Sequence, residues 1–127
     1  NFSSENRMTM NDVVYLFEPR GVLQRYNMQK KTDVFKFQVH IIRLGNIAIA
    51  TNPFELFTEY GMRIKARSRS EQTFVVQLAN GAGGYLPTEA AVAGGSYSSK
   101  PASTICGPES GDKLVEITLD IINRMWN

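Results

Sequence analysis

Few residues in this chain are able to do chemistry. His40 is the only histidine and Cys106 the only cysteine. No intrachain disulfide and no cysteine-based zinc motif can therefore form, and a metal site built on histidines, or a Ser-His-Asp triad, would have to use His40. Glu55 follows the apolar stretch Ile47–Ala50 and the break Asn52-Pro53, where a helical pattern opens. In an α/β sheet the carboxyl end of a strand is where ligand groups gather. A carboxylate there can hold a metal or act as a base, or it can simply complement the helix dipole. The stretch Asn80-Gly81-Ala82-Gly83-Gly84-Tyr85-Leu86-Pro87-Thr88 is glycine-rich, yet it lacks the Gly-Lys-Ser/Thr ending of a phosphate cradle and the spacing of a dinucleotide fingerprint. Its glycines allow positive φ or close backbone approach to a ligand, with Tyr85 placed to reach into a site. The alternative is a plain connection. Arg63, Lys65, Arg67 and Arg69 recur every second residue; that spacing spreads them around a helix and reads as a solvated face rather than a nucleic-acid stripe. His40 reads as a polar-face strand residue, and Cys106 as a small packed side chain with no histidine placed to activate it.

The elements that must position these residues follow from periodicity. Residues 1–11 are polar and patternless and read as a flexible lead-in. Asn11-Asp12 caps a short helix through Leu16, and Pro19 starts a second one with Val22, Leu23 and Tyr26 on its apolar face. Thr32–Arg43 alternates, with Phe35, Phe37, Val39 and Ile41 on one side, as a half-buried strand does. Leu44-Gly45-Asn46 is a turn, and Ile47–Ala50 completes an antiparallel hairpin as a strand buried on both faces. A helix is expected over Phe54–Arg67 on Phe57, Tyr60 and Ile64, then a strand over Thr73–Leu78. The last helix runs over Pro108–Trp126, with Leu114, Val115, Thr118, Ile121, Ile122 and Met125 as its stripe. Between them, Ala79–Glu109 holds six glycines and three prolines. So long an irregular stretch is functional or packs against something outside it. The fold class is α/β: a mixed sheet with helices packed on it.

Composition bounds the rest. The 127 residues make one domain's worth of chain. The hydrophobic content of 43% supports a core. A net charge of +2 is too small to point to nucleic acid, and no apolar run is long enough to span a bilayer. The chain begins with Asn1 and shows no signal peptide.

Three segments together resemble the neutral/alkaline (non-lysosomal) ceramidase family and its bacterial relatives. Asn52-Pro53-Phe54-Glu55-Leu56-Phe57-Thr58-Glu59-Tyr60-Gly61-Met62-Arg63 is similar to that family's Pro-Gly-Glu-Pro-Phe-Thr-Glu-x-Gly-x-Arg stretch. Asn80 to Thr88 is similar to its Asn-x-x-x-x-Tyr-x-x-Thr loop, and Ala102 to Glu109 to its Ala-Ser-Thr-x-x-Gly-Pro segment. The match covers roughly Phe35 to the end. The resemblance implies a zinc-dependent amidohydrolase acting on an N-acyl amide or lipid substrate, with zinc held by two histidines, a glutamate and a tyrosine. Glu55 and Tyr85 match the glutamate and tyrosine, and Phe54, Asn80, Gly83 and Gly84 border the implied substrate pocket. Phe54 stands where the family has glycine, a departure expected to narrow the substrate path. The family's two histidines belong to earlier segments, and His40 matches neither. The resemblance thus implies the C-terminal portion of a larger hydrolase-like fold, inactive alone, whose partner is an upstream segment of the same protein and whose setting is outside the cytoplasm. The alternative is a non-catalytic binding domain that keeps the family fold.

Overall fold

The structure, a computed structural model, describes residues 9–126 apart from the side chain of Val14. The expected lead-in therefore lies outside the described residues as far as Met8. From Thr9 on it is not a lead-in: Thr9 caps α1 (Met10–Gln29), its hydroxyl accepting from the Asp12 N–H while the Asp12 carboxylate accepts from the Thr9 N–H. This reciprocal capping box satisfies two free donors of the first turn. The two short helices expected here are one helix, with Pro19 inside it. Proline removes one backbone donor, but the turns on either side carry the helix through.

The architecture is α/β, with helices packed on a mixed sheet. Strands β1 (Ile41–Leu44), β2 (Ile47–Thr51) and β4 (Gln72–Val76) form a sheet in the order β1-β2-β4. The first pair is the antiparallel hairpin, and the second is parallel, joined through α2 (Thr58–Arg67). A two-stranded parallel sheet joins β3 (Glu55–Leu56) to β5 (Tyr85–Leu86). The helix α4 (Pro108–Met125) lies with α2 on one face of the larger sheet. Ala48 and Ala50 of β2 are buried against Tyr60 and Ile64 of α2 and Leu114, Val115, Leu119 and Ile122 of α4. Each of those aliphatic side chains contributes about 1.5–3 kcal/mol by leaving water. Leu119 and Gly111 are buried members of the α4 face that the expected stripe omitted.

Three boundaries and one burial pattern differ from expectation. The alternation over Thr32–Arg43 is real, since Phe35, Val39 and Ile41 pack on the core, but only Ile41–Leu44 forms a ladder, because residues before His40 have no neighbouring strand. Strand β2 is not buried on both faces: Ala48 and Ala50 are buried while Ile47 and Ile49 are half-exposed. Residues Glu55 and Leu56 form a strand, and the helix expected from Phe54 starts at Thr58. Finally, β4 stops at Val76, because Leu78 and Asn80 turn into positive φ of 55° and 59°. The stretch Ala79–Glu109 holds β5, α3 (Glu89–Ala93) and a 3-10 turn at Tyr97–Ser99. None of the helices is long and apolar enough to cross a membrane among the described residues.

Candidate functional site

The site begins at the carboxyl ends of the parallel strands β2 and β4, where the chain leaves the sheet twice, once toward Glu55 and once toward Tyr85. Asn52 organises the first exit. Its side chain is buried, and its Oδ1 accepts from the Phe54 N–H at 3.1 Å, tightening the turn through Pro53. Its own N–H donates to the Val76 carbonyl at 2.9 Å, and its carbonyl accepts from the Ala79 N–H at 2.9 Å. The two exits are thus laced together. The Gly83 N–H donates to the Pro53 carbonyl at 2.8 Å, the Glu55 N–H to the Gly84 carbonyl at 3.0 Å, and the Leu56 N–H to Gln77 Oε1 at 2.9 Å.

The glycines of the loop serve this lacing. A Cβ at Gly83 would fall inside the ring of Phe54, and one at Gly84 would lie 2.8 Å from the Ser103 carbonyl, with φ already at +67°. Only glycine at both positions lets the loop cross Phe54 and pass beside Ser103. The outcome is the register Glu55↔Tyr85 and Leu56↔Leu86. Leu86 is buried and the Glu55 and Tyr85 side chains are half-exposed. Side chains paired in a parallel ladder stand on the same face. The phenol of Tyr85 has its pKa raised, first by hydrogen bonding to the Glu55 carboxylate, then by desolvation, then by the charges of Glu55 and Tyr97. A neutral phenol beside a carboxylate can donate a hydrogen bond to it.

Of the residues expected at the site, Glu55 and Tyr85 come together. Glu55 does not sit at a helix N-terminus; Glu59 occupies the first turn of α2 instead. Phe54 is fully buried in the core, edge-on to Phe37 at 4.8 Å between ring centroids. Its ring therefore packs beneath the Gly83 loop rather than lining an open path. Gly83 and Gly84 shape the loop as described, and Asn80 lies apart: its Nδ2 is 2.7 Å from His40 Nδ1 on the surface. Cys106 is half-buried, its thiol pKa raised by burial, which keeps it protonated and a weak nucleophile. The basic run is structural in part, since Arg63 meets Asp112 at 2.6 Å and Arg67 meets Glu116 at 2.9 Å, tying α2 to α4.

Sequence reasoning placed the break at Asn52-Pro53 but missed the lacing role of the Asn52 side chain, and it missed Gln77 and Tyr97. An asparagine before proline is a turn signal, and that signal was legible for Asn52. Nothing local marks Gln77 or Tyr97, whose roles come from distant segments. Tyr97 stands edge-on to Tyr85, with ring centroids 5.9 Å apart at 77°. Ser103, whose carbonyl accepts from the Tyr85 N–H at 3.1 Å, carries a buried hydroxyl with no hydrogen-bond partner. Among the described residues no group of three or more His, Cys, Asp and Glu side chains converges as a metal site would. In comparisons with known proteins, no family model, curated protein or solved structure matches this chain.

Proposed function

We propose that this chain supplies the glutamate and tyrosine half of a zinc-dependent amidohydrolase site for N-acyl amides, completed by an upstream segment of the same protein that carries two histidines. The observation that carries this reading is the Glu55↔Tyr85 pairing at the carboxyl ends of the parallel strands. The two oxygens fit a hard or borderline cation, but a catalytic zinc takes three protein ligands. Zinc, when bound, would polarise an acyl carbonyl and acidify a water. The chain's own part is to hold the Glu55 carboxylate and the Tyr85 phenol side by side, with Phe54 and Leu86 buried behind them. A second observation supports an absent covering segment. Side chains alternate along each strand, so the row Ile42–Ile49–Phe74 and the neighbouring Leu44 and Ile47 lie on the sheet face opposite α2 and α4. Leu44 is 66% and Phe74 49% exposed there. Parallel sheets ordinarily have both faces covered, and β2 and β4 pair in parallel.

The same bare face favours the second reading, a non-catalytic domain that binds a partner through its sheet. The two readings separate in an amide-hydrolysis assay. The purified 127-residue chain with zinc is expected to show no turnover of N-acyl amides, and the longer polypeptide, with its histidine segments, is expected to show zinc-dependent turnover lost in Glu55→Gln. Turnover by the short chain would contradict the half-site reading. A longer polypeptide that is inert with zinc would leave the binding-domain reading standing.

A further inference from the structure

Strand pairing fixes the backbones of Glu55 and Tyr85, but β3 and β5 are two residues each, and a half-exposed tyrosine on so short a strand keeps two free side-chain torsions. We infer that Tyr97 is a positioning residue of the Glu55–Tyr85 pair, holding the Tyr85 ring in the orientation that faces Glu55, and that Phe17 of α1 holds Tyr97 in turn. The inference deepens the function proposed above and rests on it for its meaning, though its geometry stands without a metal.

The Tyr97 ring meets the Tyr85 ring edge-on at 5.9 Å and 77°, within the 4.5–7 Å range where aromatic pairs attract one another. It also meets Phe17 at 6.4 Å and 31°. Its backbone is tied to Tyr85 through a relay of carbonyls. Lys100 N–H donates to Tyr97 O at 3.4 Å, Ser103 N–H to Lys100 O at 2.9 Å, and Tyr85 N–H to Ser103 O at 3.1 Å. The turn below is closed by Ser99, which is buried and whose hydroxyl donates to Ser96 O at 2.8 Å. The helix α1 clamps this relay from outside. Glu18 pairs with Lys100, Arg25 Nε donates to Pro101 O at 3.3 Å, and Gly21 sits so close to Ala102 that a Cβ on it would lie 2.7 Å from the Ala102 Cβ. The ring sequence Phe17–Tyr97–Tyr85 therefore runs from α1 to the pair.

The test uses the whole chain, without metal, at neutral pH, with tyrosine and glutamate labelled and followed by NMR. Tyr85 is assigned by Tyr85→Phe. The wild type is expected to show through-space contacts from the Tyr85 ring to the Tyr97 ring and to the Glu55 side chain. Tyr97→Ala is expected to lose the contact between the Tyr85 ring and Glu55, while Tyr97→Phe, which keeps the ring edge, is expected to retain it. Phe17→Ala should weaken that contact in the same direction as Tyr97→Ala. The ring signals of buried Tyr60 report in every variant whether the core is folded. A contact between Tyr85 and Glu55 unchanged by Tyr97→Ala, or equally lost in Tyr97→Phe, would overturn the inference. Zinc enters none of these measurements, so failure of the metal reading leaves their outcome intact.

Discussion

At the scale of single residues the candidate pair and the core use tyrosine in opposite ways. Tyr85 is half-exposed beside a carboxylate, whereas Tyr60 is buried, with its hydroxyl donating to the Pro87 carbonyl at 2.8 Å and the Pro108 carbonyl 3.2 Å away. Burial, followed by the charge of Asp112, pushes the Tyr60 pKa up to about 12. A folded-state pKa above the unfolded value of 10.0 means that the stabilisation is complete below pH 10 and is lost as pH climbs through about 12. Tyr60→Phe should therefore show a shallower loss of stability between those pH values than the wild type. At neutral pH it should be less stable by about 1–3 kcal/mol, since a buried carbonyl loses its donor. Thermal or denaturant unfolding across pH checks both. The type of Glu55, Tyr85 and the glycines was legible, as was their order. The seating of the Phe54 ring beneath Gly83 was not, because side-chain facing depends on the two-residue strand β3, too short to leave a period.

At the scale of elements, strong periodicity was readable and its absence misled. The α4 stripe and the hairpin follow from 3.6- and 2-residue repeats that the core then enforces. The start of α1 moved to a capping box of Thr9 and Asp12, with Thr9 two residues before the expected cap, and the two expected helices are one because the turns on either side of Pro19 carry the helix through. The Thr32–Arg43 strand failed as a ladder because alternation reports which side is buried, not whether a neighbouring strand exists. One contact between elements gives a sharp prediction. Gly111 of α4 faces Tyr60 of α2 so closely that a Cβ would enter the phenol ring. Gly111→Ala raises helix propensity by about 1 kcal/mol, yet it must displace a buried ring hydrogen-bonded to two segments. The net effect should be destabilisation of roughly 1–3 kcal/mol, the range for overpacking a core. Gly61→Ala, on the α2 surface with nothing within 4 Å of its Cβ, should instead be neutral or stabilising. Denaturant midpoints of the two variants decide the matter.

At the scale of the whole molecule, two apolar surfaces have no cover among the described residues: the outer sheet face, and much of α1, where Tyr15 is 81% exposed and Val13, Leu16, Phe17, Leu23 and Tyr26 are exposed as well. Large exposed apolar patches ordinarily mark an interaction surface. A polar substitution on the outer sheet face should therefore cost the isolated chain little. Phe74→Thr, which keeps strand propensity, is expected to change stability by less than about 1 kcal/mol while lowering the binding of an apolar dye such as anilinonaphthalene sulfonate. A loss of about 3 kcal/mol or more, as for a core truncation, would show that this face is already covered in solution. The most direct measurement of the central claim is a zinc titration of the 127-residue chain, followed by NMR at the Glu55 carboxyl carbon and the Tyr85 Cζ. The account predicts that both signals move together, with weak affinity for want of further ligands, and that Glu55→Gln abolishes the Tyr85 response. Zinc that leaves both signals in place, or that acts only at His40 or Cys106, would contradict it.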